Sequence, residues 1–192
     1  GPVYILGHVV GIHFDELVLL IKASWGGRAL ARGFLPPSSM LSDAEYARLA
    51  AAQNAENKAW NAAEPAKIAA WNKRVAEQTR KDEFKRNLRK FKARAMITTE
   101  EYKSQFGKDY RNMVSEVHGC LGEIGKRFPG YKNQGYEIMG FVWFQGWNDM
   151  VASGTYPNRG QPGGYAAYSE CLSHFIRDVR KDLKAPDMKF VI

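Results

Sequence analysis

A chain of 192 residues, 45% hydrophobic, is the size of one ordinary domain with a real core. Its 12% aromatic content excludes a disordered composition, and no apolar run reaches the length of a membrane span. The net charge of +8 is local: residues 67–94 hold eleven Lys/Arg against three Asp/Glu, and the remaining charges cancel.

Residues 2–14 read as a short helix, with Leu6, Val9 and Val10 at helical spacing and Asp15-Glu16 at its end. No basic region followed by an apolar one is visible at Gly1-Pro2-Val3-Tyr4-Ile5-Leu6, so no signal peptide is expected there. Leu17-Val18-Leu19-Leu20-Ile21 is a continuous apolar run, which predicts a buried parallel strand. It leads into Lys22-Ala23-Ser24-Trp25-Gly26-Gly27-Arg28. Paired glycines after a strand permit a sharp turn or a close approach to a ligand, but the spacing fits neither a dinucleotide fingerprint nor a phosphate loop.

Pro36 and Pro37 mark a loop, and Ser42-Asp43-Ala44-Glu45 has the form of a capping box. From there to about Lys92 the composition is that of helix. Pro65 allows either a helical hairpin or one kinked rod. Trp60, Ile68, Trp71 and Val75 form one apolar stripe, and Phe84, Leu88 and Phe91 another. Residues 41–94 are therefore expected as an inserted, projecting basic helical hairpin. The basic run reads as a solvated helix face or as a dock for an acidic partner: nucleic acid, an anionic glycan or a protein. No nucleic-acid-binding signature accompanies it.

A helix is predicted from Thr98 to about Phe128, with Tyr110, Met113, Val114, Val117, Leu121 and Ile124 on its apolar face. Phe128-Pro129-Gly130 stops it. The Gly-rich stretch from Ser153 to Gly164 reads as a loop fit to rim a site. Tyr165 to Leu183 reads as a helix burying Tyr168, Cys171, Leu172, Phe175, Ile176 and Val179, and Met188 to Ile192 as a strand. Strands alternating with helices predict an α/β fold with a parallel sheet. Cys120 and Cys171 lie in neither a CxxC nor a CxxH arrangement, so no zinc site is expected, and no cofactor is called for. A disulfide between them stays open, although two buried free thiols fit their place in the expected helices better.

The most informative stretch is Gly140-Phe141-Val142-Trp143-Phe144-Gln145-Gly146-Trp147-Asn148-Asp149. Its first half predicts a strand buried on both faces. Its second half puts an amide and a carboxylate just beyond a strand's carboxyl end, where α/β sheets bind ligands. Asn148 and Asp149 also suit a helix cap or a turn.

This stretch, continuing to Met150, and Leu19-Leu20-Ile21-Lys22-Ala23-Ser24-Trp25-Gly26-Gly27 together resemble the sialate O-acetylesterase-like carbohydrate esterases of the SGNH hydrolase superfamily. Phe128-Pro129-Gly130-Tyr131, Tyr168-Ser169-Glu170 and His174-Phe175-Ile176-Arg177-Asp178-Val179-Arg180 extend the resemblance. It covers roughly residues 1–40 and 105–192. It implies a flavodoxin-like three-layer sandwich that deacetylates sugars through an acyl-enzyme, with an acetylated carbohydrate as substrate. It also implies an oxyanion hole with donors from the Gly26-Gly27 pair and from Asn148. Gln145, Trp147, Asp149 and Trp25 are then expected around the substrate rim, and Asp149 as a group that orients the loop.

The family's nucleophile block, a Gly-x-Ser after the first strand, has no counterpart before Leu17. Its Asp-x-x-His block follows the last strand, which here has only begun. His8, His13, His118 and His174 read as structural, and Ser24, Ser38, Ser39 and Ser153 are the alternative hydroxyls. Two readings follow: part of an active esterase, or a pseudoenzyme that joins a protein partner or complementing chain through open sheet edges and its basic segment.

Overall fold

The computed structural model describes residues 2–78, 88–151, 155–156 and 158–192. The chain divides into two compact units: residues 1–40 with 106–192, and residues 41–105.

The first unit is α/β. Helix α1 spans Pro2–His13, and a 3-10 turn spans Pro37–Ser39. Helix α2 (Asp43–Gln78) and α3 (Thr99–Ser104) belong to the second unit. The first unit continues with α4 (Lys108–Gly122), α5 (Ile124–Arg127), β1 (Gly140–Val142), α6 (Trp147–Val151), α7 (Ala166–Asp182) and β2 (Lys189–Val191). β1 and β2 pair in parallel, with Phe141 opposite Phe190. The ladder extends through Trp143 N–H to the Val191 carbonyl at 2.7 Å.

The core gathers around Phe175 of α7, which is fully buried. Its ring lies 4.5 Å from Trp143, 5.5 Å from Tyr110 and 5.9 Å from Phe141, centroid to centroid, and Phe141 stacks on Phe190 at 5.1 Å. Such aromatic pairs contribute about 0.5–1.5 kcal/mol each beyond area burial. The helical spacing of Cys171, Leu172, Phe175 and Val179 puts these residues on the buried face of α7, as the periodicity predicts.

Three expectations for this unit change. Residues 17–21 form no strand, and Leu17 is 84% exposed. A strand needs a ladder partner, and none of the described residues pairs with this run. β1 is buried on one face only: Phe141 packs inward while Val142 is 52% exposed. The long helix expected from Thr98 breaks at Gly107, whose φ of +65° a side chain would resist. A Cβ there would also meet the Leu35 carbonyl at 2.8 Å.

The second unit is built on α2, a single helix of 36 residues that runs through Pro65. Its start is the expected capping box: Ser42 Oγ accepts from Glu45 N–H, and Glu45 accepts from Ser42 N–H. The expected helical hairpin is not what returns. Residues 88–98 are not helical, and Phe84, in the second predicted stripe, lies outside the described residues. Asparagine amides on α2 hold the returning chain instead. Asn54, Asn61 and Asn72 each exchange a pair of hydrogen bonds with the backbone N–H and carbonyl of Ile97, Arg94 and Arg89 respectively, and Asn57 donates to Ala95.

The geometry explains why these positions work. Steps of seven and eleven residues are close to whole numbers of helical turns, so Asn54, Asn61 and Asn72 fall on one line. At about 1.5 Å per residue they span roughly 27 Å. Ile97 to Arg89, at about 3.3 Å per extended residue, spans roughly 26 Å. The helix and the extended chain keep step at every rung. Tertiary pairing therefore overrides the helix propensity of the Lys/Arg-rich run. The unit reaches Gln105 because α3 also packs on α2, with Lys103 Nζ 2.5 Å from Asp43.

Candidate functional site

Asp149 is the centre of the region after β1. It lies in α6, is 1% exposed and accepts hydrogen bonds from four donors. Leu30 N–H donates at 2.7 Å and Ala31 N–H at 3.2 Å. Gln145 Nε2 donates at 2.6 Å and Tyr156 OH at 3.0 Å. A buried carboxylate is tolerated only when its lone pairs are filled in this way. Burial, with Asp149 beside it, pushes the Tyr156 phenol well above its ordinary pKa, so it remains a donor at neutral pH.

Gln145 adds a second tie, from Nε2 to the Arg28 carbonyl at 2.9 Å. Arg28 in turn pairs with buried Asp109 at 3.4 Å. The loop from Arg28 to Ala31 is therefore held to the Gln145–Asp149 segment at three points, Arg28, Leu30 and Ala31. Gly33 is needed nearby, because a Cβ there would stand 2.1 Å from Asp109 Oδ2.

The loop held this way begins with Gly26 and Gly27. They form a turn, Gly27 has φ +72°, and a Cβ at either would meet nothing within 4 Å. Their backbone is open to a ligand. Asn148 is half-buried, and its amide has no hydrogen-bond partner among the described residues. Trp147 is 70% exposed beside it. Trp25, also expected at the rim, is partly buried and packs against the core, 5.9 Å from Phe34. Of the other two residues expected at the rim, Asp149 spends both carboxylate oxygens on the contacts above, and Gln145 spends its Nε2 on them while its buried Oε1 has no hydrogen-bond partner among the described residues. Below them, Tyr168 OH donates to the Gln145 carbonyl, and Tyr165 OH to that of Met150.

The alternative hydroxyls separate clearly. Ser24 is exposed, and Ser153 lies outside the described residues. Ser38 accepts nothing catalytic: its N–H and Oγ both donate to Asp178, at 2.8 and 2.6 Å. Ser39 Oγ lies 2.8 Å from His174 Nδ1, a contact the sequence did not disclose. A nucleophile–base pair needs a third group to orient the base. Among the described residues His174 has no such partner, and Asp178, one turn on, is committed to Ser38. The pair ties the 3-10 turn to α7. His118 Nε2–H donates to the Asp182 carbonyl, 2.9 Å away, also a structural contact.

Cys171 is buried, Cys120 is half-buried, and both are free. Burial pushes the Cys171 thiol up to about 11, away from thiolate chemistry. No cluster of His, Cys, Asp and Glu among the described residues has the arrangement of a metal site, and none of their helices is long and apolar enough to cross a membrane. Comparisons with family models, with curated proteins and with solved structures found no match to this chain.

Proposed function

We propose that this chain carries the oxyanion-binding half of a carbohydrate acetylesterase site of the sialate O-acetylesterase type, on a flavodoxin-like three-layer fold. One observation carries the reading: Asp149 and Gln145 bind the loop that follows Gly26-Gly27 to the start of α6, the helix that holds Asn148. Two donors from separate segments are thereby fixed to one frame, as stabilisation of a tetrahedral intermediate requires. Gly27 offers an open backbone N–H, and Asn148 an amide with no hydrogen-bond partner among the described residues. The nucleophile and base are not assigned to any residue here, and the substrate class is an acetyl ester on a sugar.

The test is turnover of p-nitrophenyl acetate or an acetylated sugar by a product that joins these residues to a Gly-x-Ser and an Asp-x-x-His block. Asn148→Ala is expected to lower kcat by about two to three orders of magnitude, the usual cost of one oxyanion donor. An unchanged rate sinks the assignment.

A second reading is favoured by the exposed apolar surface of the same unit. Phe144 is 91% exposed, Ile192 76% and Ile12 71%, and the parallel sheet has two strands among the described residues. A pseudoenzyme that completes its sheet with a partner or complementing chain would cover such a surface. It predicts that the 192-residue chain associates when expressed alone. A monodisperse monomer would exclude it.

A further inference from the structure

We propose that the extended segment 88–97 is a binding face for an acidic polysaccharide, built from Arg89 and Arg94 with Lys90 and Lys92. The choice of a polysaccharide rests in part on the ester-hydrolase reading of the other unit; the binding face itself does not. Four cations fall within six residues, and no Asp or Glu occurs between residues 84 and 99. The side chains of all four lie on exposed residues, and none makes an ion pair with a described residue.

Two features distinguish this face from an ordinary solvated basic run. The first is the placement of the guanidinium groups. Arg94 lies over the Trp60 ring, 3.8 Å from its centroid, and Arg89 over Trp71 at 4.1 Å. Stacking fixes the plane of a guanidinium while leaving its N–H edge free, and that edge matches a carboxylate or sulfate with two parallel hydrogen bonds. The second is the backbone. The same two residues, Arg89 and Arg94, are held on both N–H and carbonyl by Asn72 and Asn61. Each anion-binding side chain is thus anchored twice, so little entropy is lost when a ligand binds. Trp60 and Trp71 are eleven helix positions apart, which spaces the two guanidiniums by roughly 16 Å along α2. That is a linear array, suited to an extended polymer rather than to a single small anion.

The two Trp rings also argue against single-stranded nucleic acid. Such binders offer open aromatic faces to successive bases. Here each Trp has a face taken by an arginine. Phe91, 40% exposed between Lys90 and Lys92, offers one apolar surface, enough for the face of a sugar ring.

The experiment measures binding of the 192-residue chain to a size-defined heparin fragment and to a DNA strand of equal charge, across a salt series. Heparin is expected to bind, with affinity falling linearly on a log–log plot against salt. Arg89→Ala with Arg94→Ala is expected to weaken it about tenfold or more. Arg89→Lys with Arg94→Lys keeps the charge and is expected to lose several-fold. Asn61→Ala with Asn72→Ala keeps every cation and is expected to fall between the two. Circular dichroism establishes that each variant retains its helix. No heparin binding at low salt overturns the proposal. So does tighter binding to DNA, or an alanine pair that binds as the parent does. Because no turnover is read, failure here leaves the esterase reading untouched. Failure of Asn148→Ala to slow hydrolysis likewise leaves this binding result standing.

Discussion

The two units solve the same problem differently. Each uses polar side chains on a helix to hold a stretch of chain that has no strand beside it. In the first, one buried carboxylate, Asp149, collects two backbone N–H groups, a phenol and an amide. In the second, four asparagines spread the task along α2, each amide satisfying its own rung. A carboxylate only accepts, so it can converge donors on one point; an amide both donates and accepts, so it can imitate a strand. The first arrangement concentrates order where a site would need it. The second distributes order along an exposed face.

Concentrated and distributed designs should fail differently. Asp149→Ala leaves two backbone N–H groups and Tyr156 OH without acceptors in a buried place. It is expected to cost about 3–5 kcal/mol in urea denaturation. A loss under 1 kcal/mol would remove Asp149 from the centre of the account. Gly33→Ala, which drives a Cβ into Asp109, is expected to cost about 1–3 kcal/mol in the same unit. Single replacements of Asn61 or Asn72 by Ala should each cost about 1 kcal/mol, and the pair should add, because the rungs are far apart. Hydrogen exchange should speed at the Arg94 amide in the first variant and at Arg89 in the second. A cooperative loss of both amides in either variant would show that the ladder is not distributed.

The smallest effect concerns pH. Thr98 donates from its N–H and Oγ to Glu101, and these bonds lower the Glu101 pKa below its ordinary 4.5. A lowered folded-state pKa gives stability that is present above the ordinary value and lost as pH falls through the folded value. Glu45 at the start of α2 behaves alike. The second unit should therefore lose stability on acidification below about pH 4.5, and Glu45→Gln with Glu101→Gln should flatten that slope. An unchanged acid profile would mean that the caps contribute nothing.

Much of this was legible in the residues. The apolar spacing of α7, the capping box at Ser42 and the parallel strands at Phe141 and Phe190 follow from local pattern alone. The strand expected at Leu17–Ile21 did not form, because an apolar run specifies a strand only if a neighbour offers a ladder. The extended return of residues 88–97 was hidden by their strong helix propensity. Its signal was nevertheless present: Asn54, Asn61 and Asn72, poor helix formers, fall on one line of α2. The candidate site divides likewise. Gly27 and Asn148 were marked by motif, whereas the committed hydrogen bonds of Gln145 and Asp149, and the contact of Ser39 with His174, depend on which segments meet in space.

The central claim is that Asn148 is an oxyanion donor and Asp149 the group that holds its frame. The most direct measurement compares Asn148→Ala and Asn148→Asp with the parent in acetyl-ester hydrolysis, in a product that includes Gly-x-Ser and Asp-x-x-His blocks, with urea denaturation of each protein alongside. The account predicts a fall in kcat of about two to three orders of magnitude for both variants, with KM and stability nearly unchanged. Full activity in either variant, or a loss of rate that tracks a loss of stability, would contradict it.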